Sequence, residues 1–161
     1  MPRMKNEQGD LELSISRVFD APRDLVFAAW TEPAHLARWS GPEGFTASQD
    51  YFSATPGGKY RVCLREPDGT EHWLRGVYRE VVPPERLVFT HAWEDGRGGT
   101  SPETLVTIAF TEEAGKTRMV FRQKGFDTQS SRDGHEGGWT SSFKELDRHL
   151  AATQAEARSA G

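Results

Sequence analysis

Only one cysteine, Cys63, occurs in the 161 residues. An intrachain disulfide is excluded, and a life in an oxidising compartment is not expected. The location expected is the cytoplasm. Long apolar runs are missing too. No stretch approaches the roughly 20 apolar residues of a membrane-spanning helix. The opening MPRMKNEQGD holds no apolar run of signal-peptide length. Positive charge is not in excess: the net charge of −4 argues against a surface for nucleic acid or anionic membranes. No glycine pattern precedes a Lys-Ser/Thr pair, and GRGG at 96–99 falls between strands, so a phosphate-cradling loop is not expected. A Gly-x-Ser-x-Gly elbow is also missing. None of His35, His72, His91, His135 and His149 has metal-ligand spacing. Neither metal nor cofactor is expected, and no catalytic residue is assigned.

What is present is aromatic: 9 Phe, 5 Trp and 3 Tyr within an apolar fraction of 35%. A chain of this length buries about 70% of its unfolded surface in one domain. LELSISRVF alternates apolar and polar residues and reads as a half-buried strand. In DAPRDLVFAAWT, Asp20 is the expected N-cap and Pro22 occupies the first turn. Leu25, Val26, Ala29 and Trp30 form its apolar face, and a second short helix, EPAHLARW, follows Pro33. From residue 44 the period is two. A hairpin turns at Pro67-Asp68-Gly69, and Pro83-Pro84 stops its second strand, since proline cannot donate to a ladder. ERLVFTHAW is another strand, EDGRGGTSPE a loop expected to be mobile, and TLVTIAFTEEAGKTRMVFRQKGF a hairpin turning near Glu113 to Lys116. A polar loop, DTQSSRDG, leads into a final helix whose apolar stripe is Trp139, Phe143, Leu146 and Leu150. After Leu150 that helix is expected to fray.

This order gives an α+β fold with one domain over 11–157, a disordered segment at 1–10 and a frayed end at 158–161. An antiparallel sheet with one apolar face needs a cover, and the final helix supplies it. A curved sheet under a single helix leaves a tapered space, wider at one end.

Five quoted pieces stand in register: RVFDAPRDLVFAAWTEPAHLARW at 17–39, Gly41-Pro42, PGGKY at 56–60, PPERLVF at 83–89 and HEGGW at 135–139. Together they resemble the bacterial proteins similar to the C-terminal domain of the activator of the Hsp90 ATPase, in the START-like, Bet v 1-like superfamily. The resemblance covers roughly 11–152. Members commonly carry two tryptophans before the Gly-Pro, whereas Ser40 follows Trp39 here. It implies the helix-grip fold: a curved antiparallel sheet of about seven strands wrapped around a long C-terminal helix, with two short helices after the first strand. It also implies a hydrophobic cavity between sheet and helix. It does not fix a function.

Most aromatic residues belong to the core, Trp30 among them, and a subset is expected to line the cavity. The expected lining is Trp39, Tyr60, Leu64, Trp73, Phe89, His91, Trp93, Phe121, Gln123, His135, Trp139 and Phe143. Trp139 leads this set, because Gly137 and Gly138 remove side chains beside it; they form either a non-helical lead-in or a close approach. In LVFTHAW, Leu87, Phe89, His91 and Trp93 share a face, so His91 is either a polar anchor in a greasy pocket or a half-wet strand end. His135 serves as a polar contact at the helix start or as a ligand contact. His35 and His149 are assigned to the surface, and Cys63 to a buried strand position. Which face of each strand turns inward depends on register.

Three functions compete. The first is a domain that encloses an apolar or amphipathic small molecule. The second is an activator of an Hsp90-type chaperone. The third is a cyclase- or hydrolase-like enzyme using His91 with Glu71 or Glu80. No nucleic acid or membrane partner is expected, and the chain is read as a monomer or weak homodimer.

Overall fold

A computed structural model describes residues 11–160. The expected disordered segment at 1–10 lies outside the described residues, as does Gly161. The alternation in LELSISRVF produces strand β1, Leu11–Phe19, with Leu13 and Phe19 buried. Helices α1, Arg23–Thr31, and α2, Pro33–Trp39, follow. The N-cap of α1 is Pro22, not Asp20, and no side chain caps it. The Pro22 carbonyl accepts from the amides of Leu25 and Val26, so the first turn closes two residues beyond Asp20.

Six more strands follow: β2 Thr46–Phe52, β3 Lys59–Arg65, β4 Glu71–Val82, β5 Arg86–Trp93, β6 Thr104–Glu113 and β7 Lys116–Phe126. With β1 they form one seven-stranded antiparallel sheet in the order β1-β7-β6-β5-β4-β3-β2. Strands β1 and β2 are its two edges, and α1 with α2 carries the chain from one edge to the other. The loop between β5 and β6 is organised by Asp95, whose carboxylate accepts from the amides of Arg97 and Gly99. At Gly76 of β4, a Cβ would stand 2.0 Å from the Thr90 carbonyl and 2.7 Å from the Tyr60 ring. Only glycine lets those three strands approach so closely.

The last helix, α3, spans Gln129–Ala160 and starts ten residues before Trp139. The expected loop DTQSSRDG is therefore mostly helical. Thr128 explains the early start: its hydroxyl accepts from the Ser131 amide and its carbonyl from the Arg132 amide. Gly134, Gly137 and Gly138 lie inside the helix, which also continues to Ala160, past the end of the apolar stripe. α3 packs against β1 and β7 with Phe143, Leu146 and Leu150 fully buried.

The core centres on Trp30. Its ring lies 4.8 Å from Trp39, 5.9 Å from Trp139 and 6.0 Å from Phe143, and it also meets Phe89 and Phe121. Phe143 closes the same cluster from α3, at 0% exposure. Phe143→Ala should cost about 3–5 kcal/mol in denaturant unfolding, and a loss below about 1 kcal/mol would show that α3 is not gripped there.

Candidate ligand cavity

The first half of α3 cannot fill the space beneath it. Ser130, Gly134, Gly138 and Ser142 recur every fourth residue, which puts them on one helical face. A Cβ built on Gly134 or Gly138 meets nothing within 4 Å. Opposite this face the inward rows of three strands supply Tyr60, Val62 and Leu64, then His72, Leu74 and Tyr78, then Phe89, His91 and Trp93. Trp30, Leu36 and Trp39 of α1 and α2 close the inner end. A cavity of about 450 Å³ lies between these walls. Ser40 to Pro42, Phe45, Gln49 and Phe52 form its rim, together with the exposed Ser130 and Gly134. One hydrogen bond, from the Glu43 amide to the Ser141 hydroxyl at 3.0 Å, ties this rim to α3.

Of the twelve residues expected to line the cavity, Trp39, Tyr60, Leu64, Phe89, His91, Trp93, His135 and Trp139 do so. Trp73 does not. It lies on the outer face of β4, its ring under the Arg61 guanidinium at 4.0 Å and its indole N–H directed at Glu71. β4 turns His72 and Leu74 inward, one residue out of step with the expectation. Phe121 and Phe143 are fully buried behind the wall, in the cluster around Trp30 and Trp139. Gln123 is also fully buried: its carbonyl oxygen accepts from the Trp139 indole at 2.8 Å and its amide donates to the Thr104 hydroxyl at 2.8 Å. It orients Trp139 without reaching the space. Trp30, Val62, Leu74, Tyr78, Gly138 and Ser142 line the cavity and were not expected there. Alternation already placed Val62 with Tyr60 and Leu64. Trp30 had no such signal, because α1 meets the cavity only through the tertiary fold.

The polar wall is specific. His135 lies within α3, not ahead of it; its Nδ1 donates to the Ser131 carbonyl at 2.7 Å and its Nε2 accepts from the Trp93 indole at 3.0 Å. That pattern makes Nδ1 the donor and Nε2 the acceptor. His91, 4% exposed, faces the cavity beside Trp93, His135 and Trp139, at ring distances of 5.5, 5.8 and 5.9 Å. Among the described residues neither ring nitrogen of His91 bonds to another residue; the ring's one hydrogen-bond contact is its own backbone. Burial, then the nearby His135, pushes its pKa down to about 3, so the ring is neutral near pH 7. The Tyr60 hydroxyl donates to the Thr90 carbonyl at 2.6 Å, and burial drives the Tyr60 and Tyr78 phenols up. Among the described residues Trp30 Nε1 is buried without a partner.

The carboxylates considered for acid–base work stand elsewhere. Glu71 pairs with Arg65, and Glu80 accepts from Arg86 at 3.0 Å. Neither is bonded to His91. His35 and His149 are not simple surface groups either. Both are half-buried and meet at 2.7 Å, joining α2 to α3. Cys63 is buried, as expected of a small strand residue. No group of three or more metal-ligating side chains is assembled among the described residues. No described helix is long and apolar enough to cross a membrane.

Residues 20–151 match the model of the family described as Activator of Hsp90 ATPase homolog 1-like protein. The chain belongs to that family. Solved structures agree with the helix-grip architecture. A protein of Chromobacterium violaceum is 28% identical with a TM-score of 0.80, over 86% of this chain and 96% of that one. A protein of Arthrobacter aurescens is 27% identical with a TM-score of 0.82, over 89% and 87%. An AHSA1 protein of Silicibacter pomeroyi is 26% identical with a TM-score of 0.81, over 89% and 99%. No curated protein matches the chain.

Two outcomes follow from the wall. Glycine inside a helix costs about 1 kcal/mol relative to alanine. Since a Cβ at Gly138 meets open space, Gly138→Ala should raise stability by up to about 1 kcal/mol in denaturant unfolding; a loss would mean the space is already filled. The His91 pKa lies below its ordinary 6.5, so the unfolded chain binds the extra proton. Its contribution is complete above pH 6.5 and is lost as the pH falls towards about 3. Across that window the unfolding free energy should change by about 1.4 kcal/mol per pH unit more steeply in the native protein than in His91→Gln. Parallel profiles would contradict the buried neutral ring.

Proposed function

We propose that the protein binds a small, mainly apolar molecule in the cavity between its sheet and α3. The observation that carries this reading is the hollow itself: about 450 Å³ walled by aromatic rings and bordered by small side chains on α3. Its size falls within the roughly 300–1,000 Å³ typical of small-molecule sites, and so does its make-up of apolar walls with few polar groups. The helix keeps glycines facing the space at a cost in helix stability, which a solid core would not require. Glu71 and Glu80 are paired with arginines away from His91, which favours binding over acid–base catalysis through either. The chaperone-activator reading rests on the description of the family, whereas the cavity is a feature of this chain.

The test uses the five tryptophans. Each gives one indole N–H signal, recorded while a library of small amphipathic compounds is titrated. A binder in the cavity should move Trp93 and Trp139 saturably, with Trp30 and Trp39 following, and leave Trp73 on the outer face in place. If no compound moves the cavity signals, or if Trp73 responds equally, the reading fails.

A further inference from the structure

Among the described residues no Asp, Glu, Lys or Arg lines the space; histidine, serine, tyrosine, tryptophan and glutamine supply its polar groups, and one of these, His72, is paired with Glu66. An ionised ligand head in the main cavity would meet no Asp, Glu, Lys or Arg on its wall, the Asp127 carboxylate bordering only the small side space, and an unpaired buried charge is strongly disfavoured. Most of the neutral groups near the inner wall are also committed. His135 uses both ring nitrogens, Tyr60 donates to Thr90, and the Trp39 indole donates to the Ala29 carbonyl at 2.8 Å. His91 is held by no other residue: it is buried, faces the cavity, and among the described residues its ring bonds only to its own backbone. A second, water-sized space of about 50 Å³ shares His91, Trp93, Ser131 and His135 with the main cavity and adds Thr104 and Asp127. A neutral imidazole offers one donor and one acceptor, and either tautomer is open to a ring that no other residue holds. Such a ring can meet a hydroxyl by accepting or a carbonyl by donating.

We propose that the cavity selects uncharged ligands with an apolar body and one hydroxyl or carbonyl head, seated on His91, and disfavours carboxylates and amines of the same shape. This rests on the cavity being a binding site and adds the chemical class that it takes. Charge selection follows from the wall as a whole and head selection from His91, so the two parts separate under mutation.

The test is a matched series on the intact protein at neutral pH: naphthalene, naphthol, naphthoate and the naphthylmethylammonium ion, with affinities read from the Trp93 and Trp139 indole signals. Naphthol should bind about fivefold more tightly than naphthalene, the size of one net hydrogen bond. It should bind at least about tenfold more tightly than either ion. In His91→Phe the advantage of naphthol over naphthalene should vanish while naphthalene still binds. In His91→Gln, which keeps a neutral donor and acceptor, that advantage should persist. The wild-type series alone decides charge selection should a variant fold poorly. Naphthoate or the ammonium ion binding as tightly as naphthol overturns the proposal while leaving the cavity reading intact. A naphthol advantage that survives in His91→Phe overturns the role of His91. Silence from all four probes overturns the cavity reading as well.

Discussion

The packing of Trp30 against rings from every layer is the constraint on which the rest of the structure depends. Trp30 sits on α1 and touches Trp39 of α2, Phe89 of β5, Phe121 of β7, and Trp139 and Phe143 of α3. Aromatic pairs of this kind contribute about 0.5–1.5 kcal/mol each beyond their buried area. Their greater effect is geometric. The cluster fixes where α3 rests on the sheet, closes the inner end of the cavity, and leaves the first half of α3 standing away from β2 to β5.

The emptiness then follows from composition. α3 carries Phe143, Leu146 and Leu150 where it meets the sheet and Ser130, Gly134, Gly138 and Ser142 where it does not. One helix thus packs at one end and forms a wall at the other. Its polar contacts follow the same division. Gln123 holds the Trp139 ring in place, and Ser131 and Trp93 lock His135, while among the described residues no other one holds His91 across the space. Positioning groups are satisfied by the protein, and the remaining group faces the cavity.

Most of the architecture was legible in the sequence, because alternation and turn chemistry are local. β1, the hairpin at Gly69, the β6–β7 hairpin and the stripe on α3 all stand where periodicity put them. The start of α3 was not legible from apolar periodicity, since its first turns are polar and small; the signal was Thr128, a capping residue. Trp73 was misplaced because strand register decides which face turns inward, and Arg61 stacking on its ring rewards the outer face. Phe121, Gln123 and Phe143 have the right neighbours but sit one layer behind the wall, a distinction that depends on how far α3 stands off. Trp30 could be seen as an apolar helix residue but not as a cavity wall, because that role exists only once α1 is folded against the sheet.

The central claim is that the space under α3 is hollow, not closed by collapsed side chains. Diffraction from a crystal pressurised with xenon tests it without knowing any ligand, since dry apolar cavities take up xenon. The account predicts strong xenon density between Tyr60, Phe89 and Trp139, lost when Gly138→Leu fills the space. No xenon, with Trp139 and the β4 side chains meeting across the gap, would contradict it.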